Sequence, residues 1–206
     1  MARPVFGRGN EARATSRITH LDRDRPLVEA ARADPQRFDA LYRRYLAQVY
    51  NFAFYELRDH HAAEDATERT FLSALASLDR FEERARPADG DGASTFRVWL
   101  FRIARNAIAT ERRYRTRHPA TDLAAAGAVP DGSDPEAEAA LRDEAAEAWR
   151  AVAKLPADRR RAVVLRFVDE MSTAEIAGVL GRSEGAVRVL LHRALRSVAG
   201  DLTRGR

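Results

Sequence analysis

The stretch from Met171 to Ala199, MSTAEIAGVLGRSEGAVRVLLHRALRSVA, allows few folds. Ser172 stands three residues before Glu175, the spacing at which a hydroxyl and a carboxylate satisfy each other's backbone N–H groups at a helix start. Ile176, Val179 and Leu180 then share a face, and Gly181 stops the helix because glycine enters the left-handed region without a Cβ penalty. Ser183 can cap a second helix, on which Val187, Leu191, Ala194 and Val198 recur at i, i+4, i+7 and i+11. With that stripe packed inward, Glu184, Arg188, His192, Arg193 and Arg196 face outward. Two short helices at a tight turn, the second with a basic outer face, predict a helix-turn-helix whose second helix enters a major groove. The residues leave one alternative open, a plain helical hairpin with a solvated arginine face.

No useful run elsewhere alternates with strand period, so the chain is predicted to be all-α. Residues 1–22 form a basic arm without apolar periodicity. A helix over Arg25 to Ala33 is followed by Asp34-Pro35, a cap and a first-turn proline that restart the chain. Phe38, Leu41, Tyr42, Tyr45, Val49, Phe52 and Ala53 mark a long amphipathic helix. A third helix is expected from about Ala62 to Leu78, with Ala66, Phe71, Leu75 and Leu78 inside and Glu64, Asp65, Glu68 and Arg69 outside. Glu82 to Ser94 reads as a loop. Thr95 opens a fourth helix with Phe96, Trp99, Leu100, Ile103, Ala107 and Ile108 inward and Arg97, Arg102, Arg105, Arg112, Arg113 and Arg115 carrying its charge.

These four helices make a bundle over residues 23–117. Residues 118–137 read as a linker rich in Pro, Gly, Asp and Ala, and 138–202 as a second helical domain. In that domain Leu141, Ala145, Ala148, Trp149 and Val152 face inward on one helix, and Val163, Val164, Phe167 and Val168 lie on the next.

The net charge of +4 says less than its distribution. Phe101 to His118 holds six arginines and one glutamate (+5), Pro119 to Ala148 eight acids and one arginine (−7), and Arg182 to Arg206 six arginines and two acids (+4). Two basic segments around an acidic spacer suggest two contacts on one polyanion. The sequence has no cysteine, which removes disulfides and thiolate metal sites and suits the cytoplasm. No apolar run approaches the roughly 18 residues of a membrane span, and the N-terminus does not read as a signal peptide. No histidine stands three or four residues from another, and no nucleophile elbow or phosphate loop appears. The chain is therefore expected not to be an enzyme, and to hold no metal or cofactor. Glu64-Asp65 point about 100° apart on a helix and read as a surface, not a catalytic pair.

Four stretches, RFDALYRRYLAQVYNFA, AEDATERTFLSALASLDRF, FRVWLFRIARNAIATERRYR and LPADRRRAVVLRFVDEMSTAEIAGVLGRSEGAVRVLLHRAL, stand in an order and spacing that resembles the extracytoplasmic-function sigma factors of the sigma-70 family. The resemblance covers residues 25–202. It implies two helical domains, sigma regions 2 and 4, that bind core RNA polymerase through the beta-prime clamp helices and the beta flap, recognise promoter minus-10 and minus-35 elements, and start transcription. Asp65, Glu68 and Arg69 would face core polymerase, with Arg69 standing where the family usually has an acid. Phe81 and Asn106 would hold a flipped minus-10 base, which needs an apolar wall and an amide for its edge. Arg102, Arg105, Arg112 and Arg113 would track the strand, while Trp99 belongs to the core. Arg188, His192 and Arg193 would read the minus-35 element, with Ser183 and Arg196 on phosphate. Val189 and Leu190 would either pack inward or meet a thymine methyl. Regulation by an anti-sigma partner is implied in the same way. The other reading is a stand-alone helix-turn-helix regulator that binds duplex DNA without polymerase.

Overall fold

A computed structural model describes residues 21–86, 89–118 and 145–204, and among these every regular element is helical. Helix α1 is Arg25–Ala33, as the sequence predicts. Asp34 accepts from the Gln36 N–H at 3.0 Å and starts a 3-10 turn, Pro35–Arg37, that leads straight into α2, Phe38–Leu57. Arg58 closes α2 in the left-handed conformation, φ 57°, and Asp59 caps α3, His60–Ser77, by accepting from the Ala62 N–H at 2.9 Å. A second 3-10 turn, Leu78–Arg80, precedes the loop to α4, Phe96–Arg117. Helix α5 is described over 145–153, followed by α6, Ala157–Phe167, α7, Thr173–Leu180, and α8, Glu184–Arg204. The basic arm, apart from its last two residues, and the predicted linker, apart from His118, lie outside the described residues, as does Leu141.

The bundle packs because α2 and α4 bring large side chains and α3 brings small ones. Leu41, Tyr45, Val49 and Phe52 of α2 meet Phe96, Leu100, Phe101 and Ile108 of α4 in a single buried cluster. On α3 the buried stripe is Ala63, Ala66, Thr67, Thr70, Phe71 and Ala74, which lets its backbone approach closely. The two threonines return their buried hydroxyls to the carbonyls of Ala63 and Ala66, at 2.7 and 2.6 Å. Leu75, expected inside, lies one position off that stripe and is 41% exposed. Phe167 is 55% exposed. It ends α6, beyond the turns whose Ala162, Val163, Val164 and Leu165 fill the interior.

The two helical domains share one buried interior. The cluster built on α1 to α4 continues without interruption into Ala162, Val164, Leu165, Met171, Ile176, Val179 and Val187. Helix α7 lies against α4, and α6 against α2. A smaller cluster of Val152, Leu155, Val163 and Ala194 joins α5, α6 and α8.

Candidate nucleic-acid interface

The helix-turn-helix forms as its local signals require. Ser172 and Glu175 make the reciprocal capping box, with N···O distances of 3.2 and 2.8 Å. Gly181 adopts φ 66° and ends α7. Ser183 accepts from the Ala186 N–H at 3.2 Å and caps α8. Val187 and Ala194 are fully buried, which turns Arg188, His192, Arg193 and Arg196 to the exposed face together. Arg188 lies 3.7 Å from Glu184 one turn earlier, a surface pair that phosphate or base contacts can replace at little cost. Val189 is 48% exposed and shares the open side, while Leu190 packs on the core.

Helix α4 divides its arginines differently from the sequence expectation. Arg102, Asn106 and Arg113 are exposed. Arg97, expected to carry outward charge, is buried, with its guanidinium donating to the Asp169 carbonyl and lying 3.7 Å from both Asp22 and Glu175. It turns inward because α7 covers this side of α4. Arg105 donates to the Val179 carbonyl at 2.9 Å, and burial, with the Arg161 and Arg102 charges nearby, pushes it below the ordinary arginine range. Arg112 is held by Glu56, donating to its backbone carbonyl at 2.8 Å and to its carboxylate at 3.1 Å.

Phe81 follows the Leu78–Arg80 turn and is buried, its ring 5.2 Å from Trp99 and 5.9 Å from Phe96, with the Arg32 guanidinium over its face at 5.7 Å. Glu83 ties the following loop to the start of α4. It accepts from Ser94 Oγ at 2.5 Å, from the Thr95 N–H at 2.8 Å and from the Ala85 N–H at 2.9 Å. Burial alone would raise its pKa, but these hydrogen bonds outweigh burial and hold it below the ordinary carboxylate value. No spacing in the sequence marks Glu83 for this task.

Asp65 and Glu68 are exposed on α3 and border an open apolar groove between α2 and α3, floored by Phe38, Tyr42, Phe71, Leu72 and Leu75. Leu72 is 59% exposed there. Arg69 instead turns to α4 and pairs with the buried Glu111 at 3.1 Å. Among the described residues no cluster of His, Asp and Glu could hold a metal, and no helix is long and apolar enough to cross a membrane. His60 packs at a tilt against Phe54, with ring centroids 4.5 Å apart, and bonds to the Tyr50 hydroxyl at 2.6 Å.

A helical bundle with a basic fourth helix, joined in one chain to a capped helix-turn-helix with a basic reading face, defines a two-part DNA-binding protein. Residues 41–118 match the family model described as Sigma-70 region 2, and residues 145–198 match Sigma-70, region 4. The chain is 34% identical over 172 residues to the ECF RNA polymerase sigma factor SigL of Mycobacterium tuberculosis, covering 82% of this chain and 90% of that one. It is 35% identical over 182 residues to the ECF RNA polymerase sigma factor BldN of Streptomyces coelicolor, covering 84% of this chain and 63% of the relative's length. Among solved structures, CnrH in complex with the cytosolic domain of CnrY is similar at 27% identity and a TM-score of 0.64, over 90% of this chain and 100% of that one. The chain belongs to the extracytoplasmic-function sigma factors of the sigma-70 family.

Proposed function

We propose that this protein is a dissociable initiation subunit that binds core RNA polymerase in the cytoplasm, directs it to promoters through minus-10 and minus-35 contacts, and helps melt the minus-10 DNA. The observation that carries this reading is the pairing of two different surfaces on one chain. Helix α8 offers a basic exposed face on a capped helix-turn-helix, and the bundle offers an apolar groove bordered by acids. A stand-alone duplex binder has use for the first surface only.

In this reading Asp65, Glu68 and the groove beside them meet the beta-prime clamp helices, and α8 lies near the beta flap. Arg188, His192 and Arg193 read minus-35 base edges, while Ser183 and Arg196 meet phosphate. Asn106 hydrogen-bonds the edge of a flipped minus-10 base, Phe81 with its aromatic neighbours supplies the wall, and Arg102, Arg105, Arg112 and Arg113 hold the strand. Arg69 is spent within the bundle and supports α3 from behind. No residue has a catalytic role. CnrH, a structural neighbour, was solved with a cytosolic partner domain, and an anti-sigma partner belongs to this reading too.

Run-off transcription tests the proposal. Purified protein added to core polymerase should give transcripts from a subset of source-genome fragments, and core alone should not. Absence of such transcripts, with tight binding of duplex by the protein alone, would establish the stand-alone regulator instead.

A further inference from the structure

One carboxylate holds both ends of the loop between α3 and α4. Glu83 Oε1 accepts from the N–H groups of Arg84, Ala85 and Thr95 at 2.9, 2.9 and 2.8 Å, and from the Thr95 hydroxyl at 2.9 Å. Its Oε2 accepts from Ser94 Oγ at 2.5 Å, and the same Oγ accepts from the Phe96 N–H at 3.1 Å. Ser94 is fully buried, so the chain leaving Phe81 is joined to the first turn of α4 by one side chain and its five donors. A charged acceptor binds N–H donors more strongly than a neutral one, and a loop closed in advance loses less freedom when it binds.

The same loop is braced from outside. Arg32 of α1 donates to the carbonyls of Leu78 and Asp79 at 3.2 and 3.3 Å and to that of Phe81, and its guanidinium lies over the Phe81 ring. The Ser94 N–H donates to the Asp22 carbonyl at 2.9 Å, and the Arg25 N–H to the Gly92 carbonyl at 3.2 Å. Phe81 is thereby fixed against the partly exposed Trp99, with ring centroids 5.2 Å apart. Asn106 stands about two turns further along α4 and is exposed. The aromatic wall and the amide are in place before a ligand arrives.

We propose that Glu83 is a positioning residue of the minus-10 site: it holds the loop in the shape that receives the flipped base, and touches no DNA itself. The proposal rests on the sigma-factor reading for its ligand and on the loop geometry for the positioning. Charge and position have opposite signs here. A carboxylate near a phosphate strand repels it, so charge alone predicts that Glu83→Ala tightens DNA binding. Positioning predicts weaker binding. Glu82 is the control for charge, because it is exposed and meets only the Arg84 guanidinium, at 3.6 Å.

The test uses the full chain bound to core polymerase. The probes are short fluorescein-labelled single strands that carry the nontemplate minus-10 segment of a promoter the wild-type holoenzyme transcribes, intact or with one base at a time made abasic. If the loop without Glu83 keeps its shape about one tenth of the time, Glu83→Ala lowers affinity for the intact strand roughly tenfold. At the position where base removal weakens the wild type most, the variant should lose little, because that base is no longer received. Equal weakening of intact and abasic strands, or no weakening, would overturn the positioning role. Glu83→Gln is nearly isosteric and keeps an acceptor oxygen for the same N–H groups, so it should fall between wild type and Glu83→Ala. Glu82→Ala should bind as the wild type does or more tightly, and a loss equal to that of Glu83→Ala would overturn the proposal. Hydrogen exchange on the free chain reads the loop directly: the Ala85 and Thr95 amides should lose protection in Glu83→Ala while those of α8 keep theirs. Unchanged exchange would overturn the proposal whatever the strands show. Absence of transcripts from the wild-type protein would instead overturn the sigma-factor reading, and exchange would still decide whether Glu83 holds the loop.

Discussion

Arg69 of α3 and Glu111 of α4 form a 3.1 Å ion pair in which the carboxylate is buried and the guanidinium is half-exposed. The pair joins the helix that bears Asp65 and Glu68 to the helix that bears Asn106. Arg69→Ala removes the charge opposite Glu111 and leaves an acceptor with little access to water, a loss of about 1–3 kcal/mol. Denaturant unfolding should show that loss, and Glu111→Gln in the Arg69→Ala background should recover part of it. Equal stability of Arg69→Ala and the wild-type protein would mean that water satisfies Glu111.

Asn106 is exposed on α4 beside arginines that are partly occupied, so its amide is open to a base edge. Asn106→Ala should lower promoter opening, followed by permanganate reactivity of unpaired thymines, more than it lowers binding of duplex promoter. Equal losses in both would place Asn106 outside the melted-strand contact.

Arg188 stands one turn into α8 with Val189 beside it on the open face. If it reads a base, Arg188→Ala should cost about 1–3 kcal/mol at the preferred minus-35 sequence and relax selectivity at one position. A uniform loss over all sequences, with a salt slope smaller by about one, would make Arg188 a phosphate contact.

Burial raises the Asp169 carboxyl from its usual 3.8 to about 7, and the nearby Arg97 charge opposes that rise only partly. Neither carboxylate oxygen has a hydrogen-bond partner. An acid with a raised folded-state pKa binds more protons when folded than when unfolded. Its contribution to stability is therefore full below about pH 4 and is lost as pH rises to about 7. Asp24 and Glu175 are also raised by burial and act in the same sense, whereas Glu83 is lowered and acts in the opposite sense. Asp169→Asn isolates one group. The difference in melting temperature between Asp169→Asn and wild type should shift in favour of the variant from pH 4 to pH 7 and stay level above that. A difference independent of pH would show that the Asp169 carboxyl titrates normally.

Ser172, Glu175, Gly181 and Ser183 specify the helix-turn-helix within a dozen residues, because a cap acts on the N–H groups of its own first turn and a left-handed glycine acts on the turn before it. Asp34 and the apolar stripes of α2 and α4 are legible for the same reason. The exposed set Arg188, His192, Arg193 and Arg196 is legible too, since the stripe of Val187 and Ala194 fixes which face remains. Leu75 could not be placed, because periodicity tells which residues share a face but not how far a neighbouring helix extends over it.

The sequence by itself determined the helices, the caps at Asp34, Ser172 and Ser183, the exposed basic face of α8 and the family. Only the tertiary structure decided that Arg97 is buried, that Arg69 belongs to Glu111, that Glu56 gathers arginines from positions 112, 160 and 161, and that Gly178 must be glycine to seat against Val98. A charge on a helix face looks the same in sequence whether it meets water, a phosphate or a carboxylate about a hundred residues away. Which of these it meets depends on which helices cover it, and that depends on contacts between segments remote in the chain.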